Sequence, residues 1–128
     1  MCGIAGIFLF NQDNRGTLVS IKEMTNVLSH RGPDDSGYFF DEGVALGHRR
    51  LSIIDLSKNA KQPMFNEDQS LVLVFNGEIY NFKELRKLLI ERGHFFKSSS
   101  DSEVILHLYE EYGVECTKYL EGMFAFSI

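Results

Sequence analysis

Cys2 is preceded by Met1 alone. Once Met1 is removed, a single residue carries both a thiol and a free α-amine. An α-amine titrates near ~7.7–8.0, so part of it is free base at neutral pH and can serve the thiol on its own residue. No histidine is required. With Met1 attached, the same nitrogen is a peptide nitrogen and cannot act as a base, so the Met-bearing chain is expected to be an inactive precursor. A lone near-terminal cysteine is by itself more often a small buried hydrophobe, so the chemical reading needs further groups.

A thiol attacking an amide carbonyl needs donors for the oxyanion and charges to hold the substrate. LVLVFNGEIYNF offers the donors: the side-chain amide of Asn76 and the backbone N–H of Gly77. The same Asn-Gly pair between apolar runs is also a strong hairpin signal, and both readings stand at this point. HRGPDDSG and GHRRLSIID offer cations, because an arginine at a strand end can clamp a carboxylate bidentately. Alternate strand residues face opposite ways, so of Arg49 and Arg50 one is expected to be merely solvated. Asp101 in SSSDSE could hold an ammonium, or simply favour the positive end of a helix. His30 and His48 read as structural, and Cys116 as core.

The elements that must position these residues are legible in outline. GIAGIFLF reads as a buried strand ended by the turn NQDNRG. A helix is expected from Thr17 to about Ser29, with Leu18, Ile21, Met24, Val27 and Leu28 at helical spacing. GYFF, VALGH, RRLSIID, LVLVF, HFFKSS and MFAFSI read as strands, and SKNAKQP as a loop. Asn81 with Glu84, and Ser100 with Glu103, resemble capping boxes opening FKELRKLLIER and SEVILHLYEEY. Gly93 and Gly113 stop those helices, and ECTKYL forms a short helical turn. Clustered strands rather than strict βα alternation favour an α+β fold with antiparallel sheets.

Composition excludes several classes. The 128 residues make at most one domain; they are 44% hydrophobic and 24% charged, with a net charge of −5. A folded chain with no nucleic-acid or membrane-surface partner is expected. The two cysteines form no CxxC pair and the four histidines show no zinc spacing, so no metal is expected. The apolar N-terminus lacks a basic flank and is too short to span a bilayer. A reducing, cytoplasmic setting with Cys2 as a free thiol is expected.

In this order, MCGIAGI, SHRGPDDSG, GHRRLSIID, FNGEIYN, SDSEVI and LEGMFAF resemble the class II glutamine amidotransferases, the N-terminal-nucleophile type, from end to end of the chain. The RGPD form of the loop is most similar to the glutaminase domain of the glutamine-hydrolysing asparagine synthetase branch. By that resemblance Cys2 is the nucleophile, and Asn76 and Gly77 match the oxyanion hole. Arg50, Glu78 and Asp101 match positions that bind the amino-acid group of glutamine, with Leu51 and Ile53 adding backbone contacts. The implied activity is hydrolysis of L-glutamine to glutamate and ammonia through a thioester, with no cofactor. The implied fold is an αββα sandwich of two antiparallel sheets between helical layers.

The resemblance further implies a synthetase domain that receives the ammonia and makes asparagine from aspartate. ATP and magnesium are expected only there, since nothing in 1–128 resembles its SGGxDS loop. Residues 1–128 read as a partial type-2 domain, C-terminally truncated, because MFAFSI stops while still apolar. Two other readings remain: a glutaminase serving another acceptor such as a sugar acid, or an inactive fragment with only a binding or assembly role. The sequence specifies no oligomeric state.

Overall fold

The computed structural model describes residues 2–10 and 17–128. The expected turn NQDNRG (11–16) lies outside the described residues. Among these residues, six strands and three α-helices follow in the order β1 (Gly3–Phe8), α1 (Thr17–Val27), β2 (Asp35–Asp41), β3 (Val44–Arg50), β4 (Met64–Phe65), β5 (Val72–Ile79), α2 (Phe82–Glu91), α3 (Glu103–Tyr112) and β6 (Gly122–Ser127). Short 3-10 turns occupy Leu28–His30, Lys58–Ala60 and Gly113–Tyr119.

The strands form two antiparallel three-stranded sheets, ordered β1-β3-β2 and β4-β5-β6. Helix α1 packs on β1 and β3, and those strands face β5. On the far side of β5, helices α2 and α3 close a cluster built on Leu73, Phe75, Ile79, Leu85, Leu89, Val104, Ile105 and Leu108. The layers therefore run helix, sheet, sheet, helices, as the resemblance implied. Each fully buried aliphatic side chain in that cluster stabilises the fold by about 1.5–3 kcal/mol. Cys116 joins the cluster at 1% exposure, and burial pushes its thiol pKa upward.

Several local expectations are corrected. On α1 only Ile21 and Thr25 are buried; Leu18, Met24 and Val27 are exposed. A strict i, i+3 series drifts around a helix of 3.6 residues per turn, so the packed face follows Ile21 to Thr25 at i+4. RRLSIID does not continue as a strand beyond Arg50. HFFKSS forms no strand: the N–H groups of Lys97 and Ser98 donate to the Glu103 carboxylate, both at 2.8 Å, instead of to a neighbouring strand. Neither capping box forms. Asn81 donates to Tyr119 O at 2.9 Å and accepts from Glu121 N–H at 3.1 Å, pinning the approach to β6. The Ser100 hydroxyl accepts from Ser102 N–H at 3.2 Å. Gly93 and Gly113, with φ of 99° and 56°, do end α2 and α3.

Candidate active site

The Asn-Gly pair is not a turn. Strand β5 runs through Asn76 and Gly77 to Ile79, pairing Asn76 with Ala125 and Gly77 with Phe124 of β6. The glycine is required by close approach: a Cβ there would meet Met123 O at 2.3 Å and Phe124 Cα at 2.6 Å. This pairing overrides the hairpin propensity, because turning at Asn76 would forfeit the ladder and the burial of Ile79.

Alternation along β5 then decides where each group points. Tyr80 N–H donates to Glu121 O at 2.7 Å, so even-numbered amides face β6. Odd-numbered amides face the opposite edge, which β4 covers only at Val72 and Leu73. There Phe75 N–H donates to Gln62 Oε1 at 2.6 Å, and Ile79 N–H donates to Asp101 Oδ2 at 2.9 Å. The Gly77 amide lies between these two and points into a cleft of about 150 Å³.

Cys2 lines the same cleft. The β1–β3 register pairs Gly3 with Arg49, so Cys2 falls beside Arg50 at the end of the sheet. Its Sγ accepts from Leu51 N–H at 3.4 Å and faces Leu51 O at 3.7 Å. Its carbonyl accepts from Arg31 Nε at 2.9 Å. Arg31 belongs to the HRGPDDSG loop, which is bolted down again where Asp34 Oδ2 accepts from Ser52 N–H at 2.7 Å.

Arg50 is buried and lines the cleft, whereas Arg49 does not, as alternation requires. Arg49 is not merely solvated, however, since it is half-buried and its Nε is enclosed without a hydrogen-bond partner. The Arg50 guanidinium donates to Ser57 O at 3.0 Å and to Asp55 O, using only two of its five N–H groups. Asp55 organises this corner. Its carboxylate accepts from Ser57 N–H at 2.7 Å and Ser99 N–H at 2.8 Å, tying the loop after β3 to the loop before α3. Those bonds, Ser57 foremost, hold its carboxyl far below the usual range against the opposing effect of burial.

Glu78 and Asp101 line the same cleft as Arg50. Asp101 is buried, and desolvation raises its pKa although Ile79 N–H and Ser100 oppose the shift. Asp55 lines the cleft too, but its carboxylate is taken up by Ser57 and Ser99. Arg50 with Glu78 and Asp101 then offers one cation and two carboxylates, which complements an amino-acid zwitterion. Leu51 and Ile53 also line the cleft. Asn76 is the exception. Its side chain lies on the face of β5 opposite Phe75, toward the sheet that carries Cys2, and does not line the cleft; its Oδ1 is buried without a hydrogen-bond partner.

Sequence reasoning missed Asp55, Gln62 and Arg31 as positioning residues, though Arg31 and Asp55 sit inside motifs already singled out. His48 is structural, as expected. Its Nε2 lies 3.1 Å from Phe75 O, two residues before Gly77. Burial lowers its pKa to about 4, with the Arg50 charge adding to the effect and the Phe75 carbonyl opposing it. His30 Nδ1 lies 3.0 Å from Val27 O.

Two antiparallel sheets between helices, with a near-terminal cysteine at one sheet end and a zwitterion-matched cleft beside it, define a glutamine amidotransferase of the N-terminal-nucleophile fold. The chain belongs to the glutamine amidotransferase domain family, an enzyme family whose sequence model matches residues 1–128. Among curated proteins it is similar to asparagine synthetase [glutamine-hydrolyzing] 1 of Arabidopsis thaliana, 46% identical over 126 residues, covering 98% of this chain and 21% of that protein. The protein of the same name from Bacillus subtilis is 46% identical over 135 residues, covering 100% of this chain and 20% of that protein. The chain thus spans about a fifth of the length of the curated relatives it matches. The solved structure of glutamine phosphoribosylpyrophosphate amidotransferase from B. subtilis shares the fold, with a TM-score of 0.73 at 22% identity, over 98% of this chain and 34% of that one. Among the described residues no helix is long and apolar enough to cross a membrane.

Proposed function

We propose that this chain is the glutaminase part of an asparagine-forming ligase, and that it hydrolyses L-glutamine to glutamate and ammonia. The observation that carries the reading is the cleft itself: Cys2, the Gly77 amide edge, Arg50 and the Glu78–Asp101 pair all line it. Arg50 takes the substrate α-carboxylate, and Asp101 with Glu78 takes the α-ammonium, aided by the backbone at Leu51 and Ile53. The side-chain amide is thereby delivered to Cys2.

The α-amine of Met-free Cys2 accepts the thiol proton as sulfur attacks the amide carbon. The oxyanion is met by Gly77 N–H, and by the Asn76 amide once that side chain rotates from its position beside the cleft. Collapse expels ammonia, which takes its third proton from the α-ammonium, and leaves a γ-glutamyl thioester. Water, deprotonated by the same amine, cleaves the thioester to glutamate and free thiol. No metal or cofactor enters these steps. The ammonia passes to a synthetase domain that amidates aspartate using ATP and magnesium, as the names of the relatives suggest. The setting is cytoplasmic.

Ammonia release from Met-free protein, with intact mass measured on the same sample, tests the reading. Met-free protein should turn over, while Met-bearing protein and Cys2→Ala should not. Equal turnover from Met-bearing and Met-free protein would refute the α-amine as base.

A further inference from the structure

A second cluster of chemically competent side chains lies away from the cleft, where the end of α2 meets α3. His94 follows Gly93, and His107 and Glu110 stand at i and i+3 on α3, so one helix face presents an imidazole beside a carboxylate. Glu110 Oε2 lies 2.8 Å from His107 Nδ1 and 3.2 Å from His94 Nδ1. One donor atom from each residue falls within 4.8 Å of the other two. A tetrahedral ion with bonds of about 2.0–2.2 Å holds its ligand atoms roughly 3.3–3.5 Å apart. The two carboxylate–imidazole spacings fall short of that range and open on binding, and the spacing of the two imidazole nitrogens adjusts with them.

The surrounding groups are those that orient metal ligands. A ligating histidine commonly turns its second nitrogen to a carboxylate, which fixes tautomer and ring plane. His94 Nε2 lies 2.9 Å from Glu111 Oε1. His107 Nε2 faces Glu103 Oε1 at 3.9 Å and Glu67 Oε1 at 4.0 Å, and is buried without a hydrogen-bond partner. Asn66 Nδ2 donates to Glu110 Oε1 at 2.7 Å, leaving Oε2 for the centre. Four glutamates, Glu67, Glu103, Glu110 and Glu111, thus surround two imidazoles. Arg92, 2.7 Å from Glu111, is one cation set against them. A divalent cation would offset this excess of negative charge.

We propose that His94 Nδ1, His107 Nδ1 and Glu110 Oε2 form a binding site for a borderline divalent cation of the zinc type, with water completing the coordination. Two imidazoles and one carboxylate suit zinc better than magnesium or calcium, which prefer oxygen. The bound ion ties residues 94–98 to α3 and, through Asn66 and Glu67, to the β4–β5 turn. It would act at a distance from the Cys2 cleft, as a clip on the segment that leads to Asp101.

Chelator-treated full chain, carrying Cys2→Ser to remove the reactive thiol, is titrated with zinc chloride by calorimetry at neutral pH. The expected result is a saturable one-to-one isotherm and a raised melting temperature. His94→Ala and Glu110→Gln should each weaken binding by more than about 10–100-fold, the loss that removing even an outer-shell partner brings, and abolish the thermal shift. His30→Ala should leave both unchanged. Both test residues are partly exposed, so the variants should fold, and far-UV circular dichroism checks this. Absence of saturable binding, or an affinity indifferent to His94→Ala and Glu110→Gln, would overturn the proposal.

Discussion

Mild acid should destabilise this fold through His48. The ring is fully buried, its Nε2 meets the Phe75 carbonyl, and its Nδ1 is buried with no partner. Protonation would place a second N–H where nothing accepts it, near the Arg50 charge. The folded pKa is about 4 against an ordinary 6.5. The unfolded chain therefore binds a proton that the folded chain refuses. Stability is intact above the ordinary value and is lost as pH falls from 6.5 toward 4. By linkage the loss is about 2 kcal/mol at around pH 5, and about 3 kcal/mol at the limit. Asp55 and Glu103, whose carboxyls are held low, lose their contributions only at lower pH. His107 works the other way in this range, because, against the opposing effect of burial, Glu103 and Glu110 raise its pKa. Urea unfolding at about pH 7.5, 6 and 5 is therefore read as the difference between the parent chain and His48→Gln. His48→Gln retains an N–H donor but no titrating ring, so it should lack about 2 kcal/mol of the parent's acid-side loss at around pH 5, whatever its absolute stability. Parallel pH slopes for the two proteins would refute the assignment.

Arg50→Lys and Asp101→Asn should each raise the glutamine concentration needed for half-maximal turnover by roughly 10–100-fold, the worth of a hydrogen bond to a charged group. Both should spare alkylation of Cys2 by iodoacetamide; equal loss of alkylation would reject the clamp. Because burial raises the Asp101 pKa, acidification should weaken glutamine binding above the ordinary carboxylate range, and Asp101→Asn should remove that dependence from the KM–pH profile. Asn76→Ala in active protein should lower kcat by about 10²–10³-fold with a smaller change in KM; unchanged kcat at native melting temperature rejects an oxyanion role. Cys116→Ala should cost about 1 kcal/mol of stability through lost packing and leave kcat unchanged, as thermal denaturation beside the ammonia assay would show.

What the residues determined alone was chemical inventory and local grammar. The thiol directly after Met1, the Arg-Gly-Pro-Asp loop, and the opposite charges of Arg50 and Asp101 could all be read without coordinates. So could the helix stops at Gly93 and Gly113, because a left-handed backbone position selects glycine locally. Tertiary structure decided whatever depended on a partner distant in sequence. Asn76-Gly77 is equally good turn and strand chemistry, and the β6 strand about fifty residues on made it a strand. Asn81 had the composition of a cap, but Tyr119 and Glu121, some forty residues on, claimed its side chain. Arg49 and Arg50 are adjacent and chemically identical; the pleat of β3 alone sent Arg50 to the cleft. The histidine cluster is the extreme case. His94 and His107 follow no metal-binding spacing, and only the turn between α2 and α3 brings them onto one carboxylate. Short-range periodicity records which face a residue takes within its own element, but it carries no information about which other element that face will meet.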